Sequence, residues 1–243
     1  MEIVLRIKRF NPETDTAPYY RDYPVDAEPA DRVLDSLLYV KNHVDATLAV
    51  RKSCAHGICG SDAMLINGTE RLACKTLVKD IVSEPGSTII LEPLRSMPVQ
   101  RDLMVDQDAF FEKYRSVRPY LIPAALPQSG ETVQTPQQRA RFDDPTKCIL
   151  CGACYSSCPV VAETNPRFIG PAAVLSAARF IFDSRDMGVG QRLGVLDAAD
   201  GAWACENHFN CTKVCPRGIK VTKSINETKR AITAHKEGDH QAI

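Results

Sequence analysis

Residues 148–159 read Cys148-Ile149-Leu150-Cys151-Gly152-Ala153-Cys154-Tyr155-Ser156-Ser157-Cys158-Pro159. This is the C-x2-C-x2-C-x3-C-P run of two-cluster iron–sulfur proteins, whose first three cysteines hold one cubane while the fourth points to another cluster. A complementary set should therefore follow, and Cys205-x5-Cys211-x3-Cys215-Pro216 supplies it. Laid on the first set it lacks one thiolate, and His208 stands where a full repeat would place that cysteine. By the crossover, Cys148, Cys151, Cys154 and Cys215 make a four-thiolate [4Fe–4S] site. Cys158, Cys205 and Cys211 remain as a three-thiolate site. A cubane short of one thiolate readily exists without its fourth iron, so [3Fe–4S] is expected there. The alternative has His208 ligating a fourth iron, although imidazole is an uncommon cubane ligand.

Upstream, Cys54-x4-Cys59-x2-Asp62-x11-Cys74 follows the plant-type [2Fe–2S] spacing, with aspartate at the third ligand position. The loop Ser53-Cys54-Ala55-His56-Gly57-Ile58-Cys59-Gly60-Ser61 has glycines where the backbone must curl around a cluster and turn its N–H groups toward sulfur. Asp62 is expected as a ligand whose harder oxygen alters the reduction potential; the alternative is a hydrogen bond from outside the ligand set. Ser53 and Ser61 are candidate donors to cluster sulfur, and His56 reads as a surface residue.

Three, four and three thiolates account for all ten cysteines of the 243-residue chain. A zinc site using Cys148 and Cys151 with a distant pair would strand six of them. A disulfide framework needs a secretory route, and the start Met1-Glu2-Ile3-Val4-Leu5-Arg6 is too short and charged for a signal core. The expected location is therefore the side of the membrane on which the chain is made, unless a presequence is missing. No stretch approaches the ~20 apolar residues that span a bilayer. Thirty basic residues balance thirty acidic ones, which argues against nucleic-acid binding. The run Lys213, Arg217, Lys220 and Lys223 reads as a solvated face that could also favour a membrane surface.

The remaining pattern divides the chain in two. Alternation at Ile3, Leu5 and Ile7, extended segments at 19–25, 47–50, 63–66, 72–74 and 88–91, and an Asn67-Gly68 hairpin turn predict a small twisted sheet. One helix, capped by Asp31 and running to about His43, should pack across it. From Asp106 the pattern turns helical, with helices expected over 106–118, 170–183, 188–198 and 216–235 and a proline-rich loop over 119–136. The expected division is 1–105 for a [2Fe–2S] ferredoxin-like domain and 106–243 for a helical domain with two clusters. The fold class is α+β.

With these residues in hand, the chain resembles the iron–sulfur subunit of succinate dehydrogenase and fumarate reductase, the respiratory complex II family. The landmarks are the loop from Ser53 to Met64, Leu72-Ala73-Cys74-Lys75, Cys148-Ile149-Leu150-Cys151, Phe182-Asp183-Ser184-Arg185-Asp186 and Asn210-Cys211-Thr212, spread over nearly the whole length. The resemblance implies an N-terminal β-grasp domain and a C-terminal helical ferredoxin domain. It implies an FAD-bearing flavoprotein partner that holds the dicarboxylate site, and membrane anchor subunits, often with haem b, that keep this chain peripheral on the cytoplasmic face. Electrons from succinate would pass from FAD to [2Fe–2S], [4Fe–4S], [3Fe–4S] and then quinone. A fumarate reductase running in reverse is the alternative direction, and a freestanding multi-cluster carrier the alternative class.

Departures from the family pattern cluster at the quinone end. Members that reduce ubiquinone commonly carry tryptophan shortly after the cysteine–proline pair and histidine after the next cubane cysteine. This chain has Val160-Val161-Ala162-Glu163 and Glu206, and its only tryptophan is Trp203. The stretch from Asn165 to Ala173 is similar to fumarate reductases, so menaquinone is favoured over ubiquinone. Pro159, Glu163, Glu206 and His208 flank the three-thiolate ligands and are the quinone-site candidates, one of the ionisable three serving to deliver protons.

Overall fold

The computed structural model describes residues 1–123 and 130–239. The chain divides into two compact units, one formed by Met1–Gln107 with Ile149–Ser156, the other by Asp108–Cys148 with the chain from Ser157 onward.

The first unit is built on β1 (Glu2–Arg9), whose Ile3, Leu5 and Ile7 are fully buried while their neighbours face outward. It pairs antiparallel with β2 (Tyr19–Asp26) and parallel with β5 (Thr88–Glu92). Beyond β5 lie β3 (Ala63–Ile66) and β4 (Thr69–Leu72), giving the order β2-β1-β5-β3-β4. Asn67 and Gly68 both take positive φ, 50° and 77°, as the tight turn of the β3–β4 hairpin requires. With α1 (Val33–Tyr39) burying Val33, Leu34 and Leu37, this is the β-grasp arrangement of one helix on a mixed sheet.

Four expectations need correction here. The cap of α1 is Arg32, not Asp31: the Asp31 carboxylate accepts the Glu28 N–H at 2.8 Å, one turn too early, while Asp35 accepts the Arg32 N–H. The helix then gives way to a π-turn over Val40–Val44, closed by the Asp45 N–H on the Val40 carbonyl. Residues 47–50 form no strand, because the Ala49 N–H is taken by the Asp102 carboxylate and its carbonyl by the Leu103 N–H. Nor does a strand reach Cys74. β4 ends at Leu72, after which the Ala73 and Cys74 N–H groups both turn onto Asp62. A short hairpin, Val99–Arg101 with Met104–Val105, was not anticipated.

The second unit is helical. Expected helices appear at Asp108–Ser116, Pro171–Ile181 and Val189–Leu196, trimmed at their ends. Pro171–Ile181 is buried on nearly every side, the mark of a central helix. The last helix starts at Val221 rather than 216, because Gly218 at φ +67° turns the chain back so that its N–H meets the Cys215 carbonyl. The loop expected over 119–136 lies partly outside the described residues, and its end is replaced by a helix at Pro136–Ala140 capped by Thr135. Asp186 and Arg192 are fully buried and paired at 2.5 Å, with Arg192 also donating to the Arg118 and Tyr120 carbonyls. Asp183 pairs with Arg185 at 2.7 Å. Asp186, with Arg192, therefore ties this segment to the chain at Arg118, Tyr120 and Ile122.

Candidate metal centres

The loop from Cys54 to Cys59 winds around a sulfur. Backbone N–H groups of His56, Ile58 and Cys59 point at Cys54 Sγ from 3.5, 3.4 and 3.3 Å. These donors, that of His56 first, bring the Cys54 thiol down to about 6, so the anionic ligand form is favoured. Positive φ at Ala55, Gly57 and Gly60 is what lets successive N–H groups face one centre. A β-carbon added at Gly57 would stand 2.6 Å from the stem of Lys75, so only glycine closes this turn. Ser61 Oγ lies 3.2 Å from Cys59 Sγ, as its expected donor role requires. His56 is exposed, its Nδ1 donating to the Cys54 carbonyl.

Asp62 and Cys74 close the loop from inside. Cys74 is fully buried and Asp62 is 3 % exposed. Burial, reinforced by the neighbouring Asp62 carboxylate, pushes the Cys74 thiol up to about 12. Asp62 Oδ2 accepts the Cys74 N–H at 2.5 Å, while the buried Oδ1 has no hydrogen-bond partner among the described residues. A buried oxygen left without a partner beside three cysteines fits a ligand to an iron centre, since otherwise its desolvation goes uncompensated. The donor set therefore suits a [2Fe–2S] cluster.

In the second unit, Cys158, Cys205 and Cys211 line one concavity together with Pro159, Glu206 and His208. Burial raises the thiols of Cys158 and Cys211, and proximity to Cys205 raises both further. Opposing this at Cys158 are the N–H groups of Val161 and Val160, which open a π-turn over Val160–Thr164. Two buried thiols that resist ionisation, with the Cys205 sulfur beside them, suit a site whose cationic irons would remove the mutual repulsion. His208 Nε2 lies 3.0 Å from Glu206 Oε2, with its side chain 45 % exposed. Glu163, also exposed, is not among the lining residues. Phe209, at φ +64°, and Thr222, from the last helix, line the site and were not foreseen.

The remaining four cysteines are divided. Cys151 and Cys154 sit in the segment belonging to the first unit, and Cys148 and Cys215 belong to the second. Gly152 at φ +81° turns the first pair, and a β-carbon there would meet Met97 at 2.8 Å. Gly60 lies so close that its β-carbon would be 2.6 Å from Cys151 Cβ. None of the ten cysteines is joined in a disulfide.

Comparison with known proteins identifies both domains. A 2Fe-2S iron-sulfur cluster binding domain matches residues 4–112, and a 4Fe-4S dicluster domain matches residues 144–219. The fumarate reductase iron-sulfur subunit of Mycobacterium tuberculosis is 43 % identical over 96 % of this chain and 94 % of its own length. The chain belongs to the succinate dehydrogenase and fumarate reductase iron–sulfur subunit family. The succinate dehydrogenase iron-sulfur subunit of Coxiella burnetii is 38 % identical over 92 % of this chain and 94 % of its own. A chain of the Mycobacterium smegmatis Sdh1 complex in the apo form superposes with a TM-score of 0.87, at 30 % identity and 98 % coverage of both chains. As a family member, the chain is an electron-transfer subunit of an enzyme complex and carries 2Fe–2S and 4Fe–4S cluster-binding domains. Among the described residues no helix is long and apolar enough to cross a membrane.

Proposed function

We propose that this chain holds three clusters and links an FAD flavoprotein to membrane quinone. The ligands are Cys54, Cys59, Asp62 and Cys74 for [2Fe–2S]; Cys148, Cys151, Cys154 and Cys215 for [4Fe–4S]; and Cys158, Cys205 and Cys211 for [3Fe–4S]. In this reading residues 1–105 form the flavin-side domain and 106–243 the quinone-side domain. When bound, the clusters supply reversible one-electron storage, ordered from the two-iron to the four-iron to the three-iron site. The protein's part is to donate N–H groups to Cys54, to keep Asp62 and Cys74 dry, and to hold Cys158, Cys205 and Cys211 around one concavity. The observation that carries the three-iron assignment is His208. It faces Glu206 and solvent at the place where a fourth thiolate is missing.

The same reading puts anchor subunits, which can bear haem b, against the three-cysteine end and keeps the chain peripheral on the cytoplasmic face. Pro159, Glu206 and His208 border that end, with Glu163 nearby in sequence, and menaquinone is the favoured acceptor. Similar identity to a fumarate reductase subunit and a succinate dehydrogenase subunit leaves both directions of catalysis within the family pattern. Low-temperature EPR of the complex purified through this chain tests the assignment. A three-iron signal in the oxidised state, with two-iron and four-iron signals on reduction, is expected. Purification without a flavoprotein and hydrophobic anchors, or no oxidised-state signal, would overturn it. Activity with menaquinone and ubiquinone analogues, measured side by side, decides the acceptor.

A further inference from the structure

Three threonines of the last helix show two uses of a hydroxyl. Thr228 and Thr233 donate to carbonyls one turn back, those of Ser224 and Lys229, as buried or helical threonines ordinarily do. Thr222 differs. It is 1 % exposed, and its Oγ1 lies 3.4 Å from Cys211 Sγ and 3.0 Å from Thr212 Oγ1. Its backbone N–H donates to that same Thr212 oxygen at 3.0 Å.

The direction of this chain of hydrogen bonds is fixed if Cys211 ligates iron. A ligating sulfur is a thiolate and has no proton to give. The Thr222 hydroxyl, the stronger of the two threonine contacts to this sulfur, then donates to it, which leaves its oxygen to accept from the Thr212 hydroxyl. The Thr212 oxygen in turn accepts the Thr222 backbone N–H. Each hydrogen is used once, and the charge on sulfur is met by a donor that is itself polarised. Because Cys211 is 7 % exposed, water cannot readily replace that donor.

We propose that Thr222 tunes the cluster at Cys158, Cys205 and Cys211, its hydroxyl holding that cluster's reduction potential up. The inference rests on the three-iron reading above. An added electron increases the negative charge on the sulfurs, so a hydrogen-bond donor stabilises the reduced state more than the oxidised one. Thr222 is in this sense a tuning residue, acting through Cys211.

The test is a redox titration of the three-iron EPR signal in the complete membrane complex. Thr222→Val keeps the shape and removes the donor. We expect the reduced-to-oxidised ratio at fixed potential to fall about tenfold, a shift of about 59 mV for one electron. Thr222→Ser should restore the parent potential, Thr212→Val should give a smaller shift of the same sign, and Thr228→Val should give none. An unchanged potential in Thr222→Val, or an equal shift in Thr228→Val, overturns the proposal. Should Thr222→Val assemble no three-iron cluster, Thr212→Val decides: a lowered potential supports the proposal and an unchanged one overturns it. A parent complex without any three-iron signal would instead overturn the cluster assignment, and this inference with it.

Discussion

Two places in this chain lack a cysteine that the spacing calls for, and the substitutes differ in almost every physical respect. Asp62 is 3 % exposed, engages Cys74 through one carboxylate oxygen and leaves the other buried without a hydrogen bond. His208 is nearly half exposed and lies against Glu206, another surface group. A buried acceptor without a partner is costly unless something absent from the polypeptide satisfies it. An exposed imidazole facing a carboxylate carries no such deficit. In the proposed assignment the same formal gap is filled by a replacement ligand in the first site and left open in the ligand set of the second.

The largest effect should come from removing the replacement. Asp62→Ala is expected to abolish the two-iron EPR signal while the three-iron signal persists; survival of both would mean that Asp62 only hydrogen-bonds. A third acid calibrates what a satisfied buried carboxylate does. Asp45 is 8 % exposed and is bonded by Arg9 at 2.7 Å, Tyr23 at 2.8 Å and Thr47 at 2.5 Å. Burial works to raise its carboxyl, but the donors on Thr47, Tyr23 and Arg9 outweigh burial and hold it well below the usual range. A depressed carboxyl stabilises the fold above its unfolded-state value near 4, and that contribution is lost as pH falls through the folded value. Asp45→Asn should cost about 2 kcal/mol near neutral pH, since it removes a charged acceptor shared by Arg9, Tyr23 and Thr47 while Asp102 stays paired with Arg9 at 3.0 Å. It should also flatten the acid limb of a plot of urea midpoint against pH; an unchanged limb would remove Asp45 from the account.

A conservative swap sharpens the comparison further. Asp62→Cys is expected to retain the two-iron cluster and lower its potential by about 59 mV, a tenfold change in the one-electron ratio, because thiolate gives more charge to iron than carboxylate. Redox titration reads this directly, and a rise in potential would contradict the ligand reading. The smallest effect is assigned to His208→Ala. All three cluster signals should remain, with stability changed by no more than about 1 kcal/mol, as for an exposed ion pair. Loss of the cubane-type signal in that variant would make His208 a ligand after all.

What could be read from the sequence followed the range of the interaction. Iron–sulfur ligation is local, so the spacings at Cys54 and Cys148 announced themselves without a fold. Alternation at Ile3, Leu5 and Ile7 and the Asn67-Gly68 turn likewise act over a few residues. Competition between local and distant partners was harder to see. The 47–50 segment has strand composition, but its backbone groups go to Asp102 and Leu103, more than fifty residues away. Helical composition extends back to residue 216, whereas Gly218 reverses the chain before the helix begins at Val221. Thr222 left no trace in any spacing rule. It meets Cys211 because the last helix returns past the turn at Asn210–Lys213, and no motif encodes that approach.

The contact between Gly60 and Cys151 has a consequence for the order of manufacture. The first unit is completed by Ile149–Ser156, which the ribosome delivers only after the whole stretch from Asp108 to Cys148. Until then the sheet can form, but Met97 has no Gly152 backbone against it and Gly60 has no Cys151. A nascent chain that stops at residue 107 is therefore an unfinished unit, with an apolar side chain and an iron-binding loop both uncovered. The packing around Gly60 and Met97 is completed only once the segment 149–156 has been made.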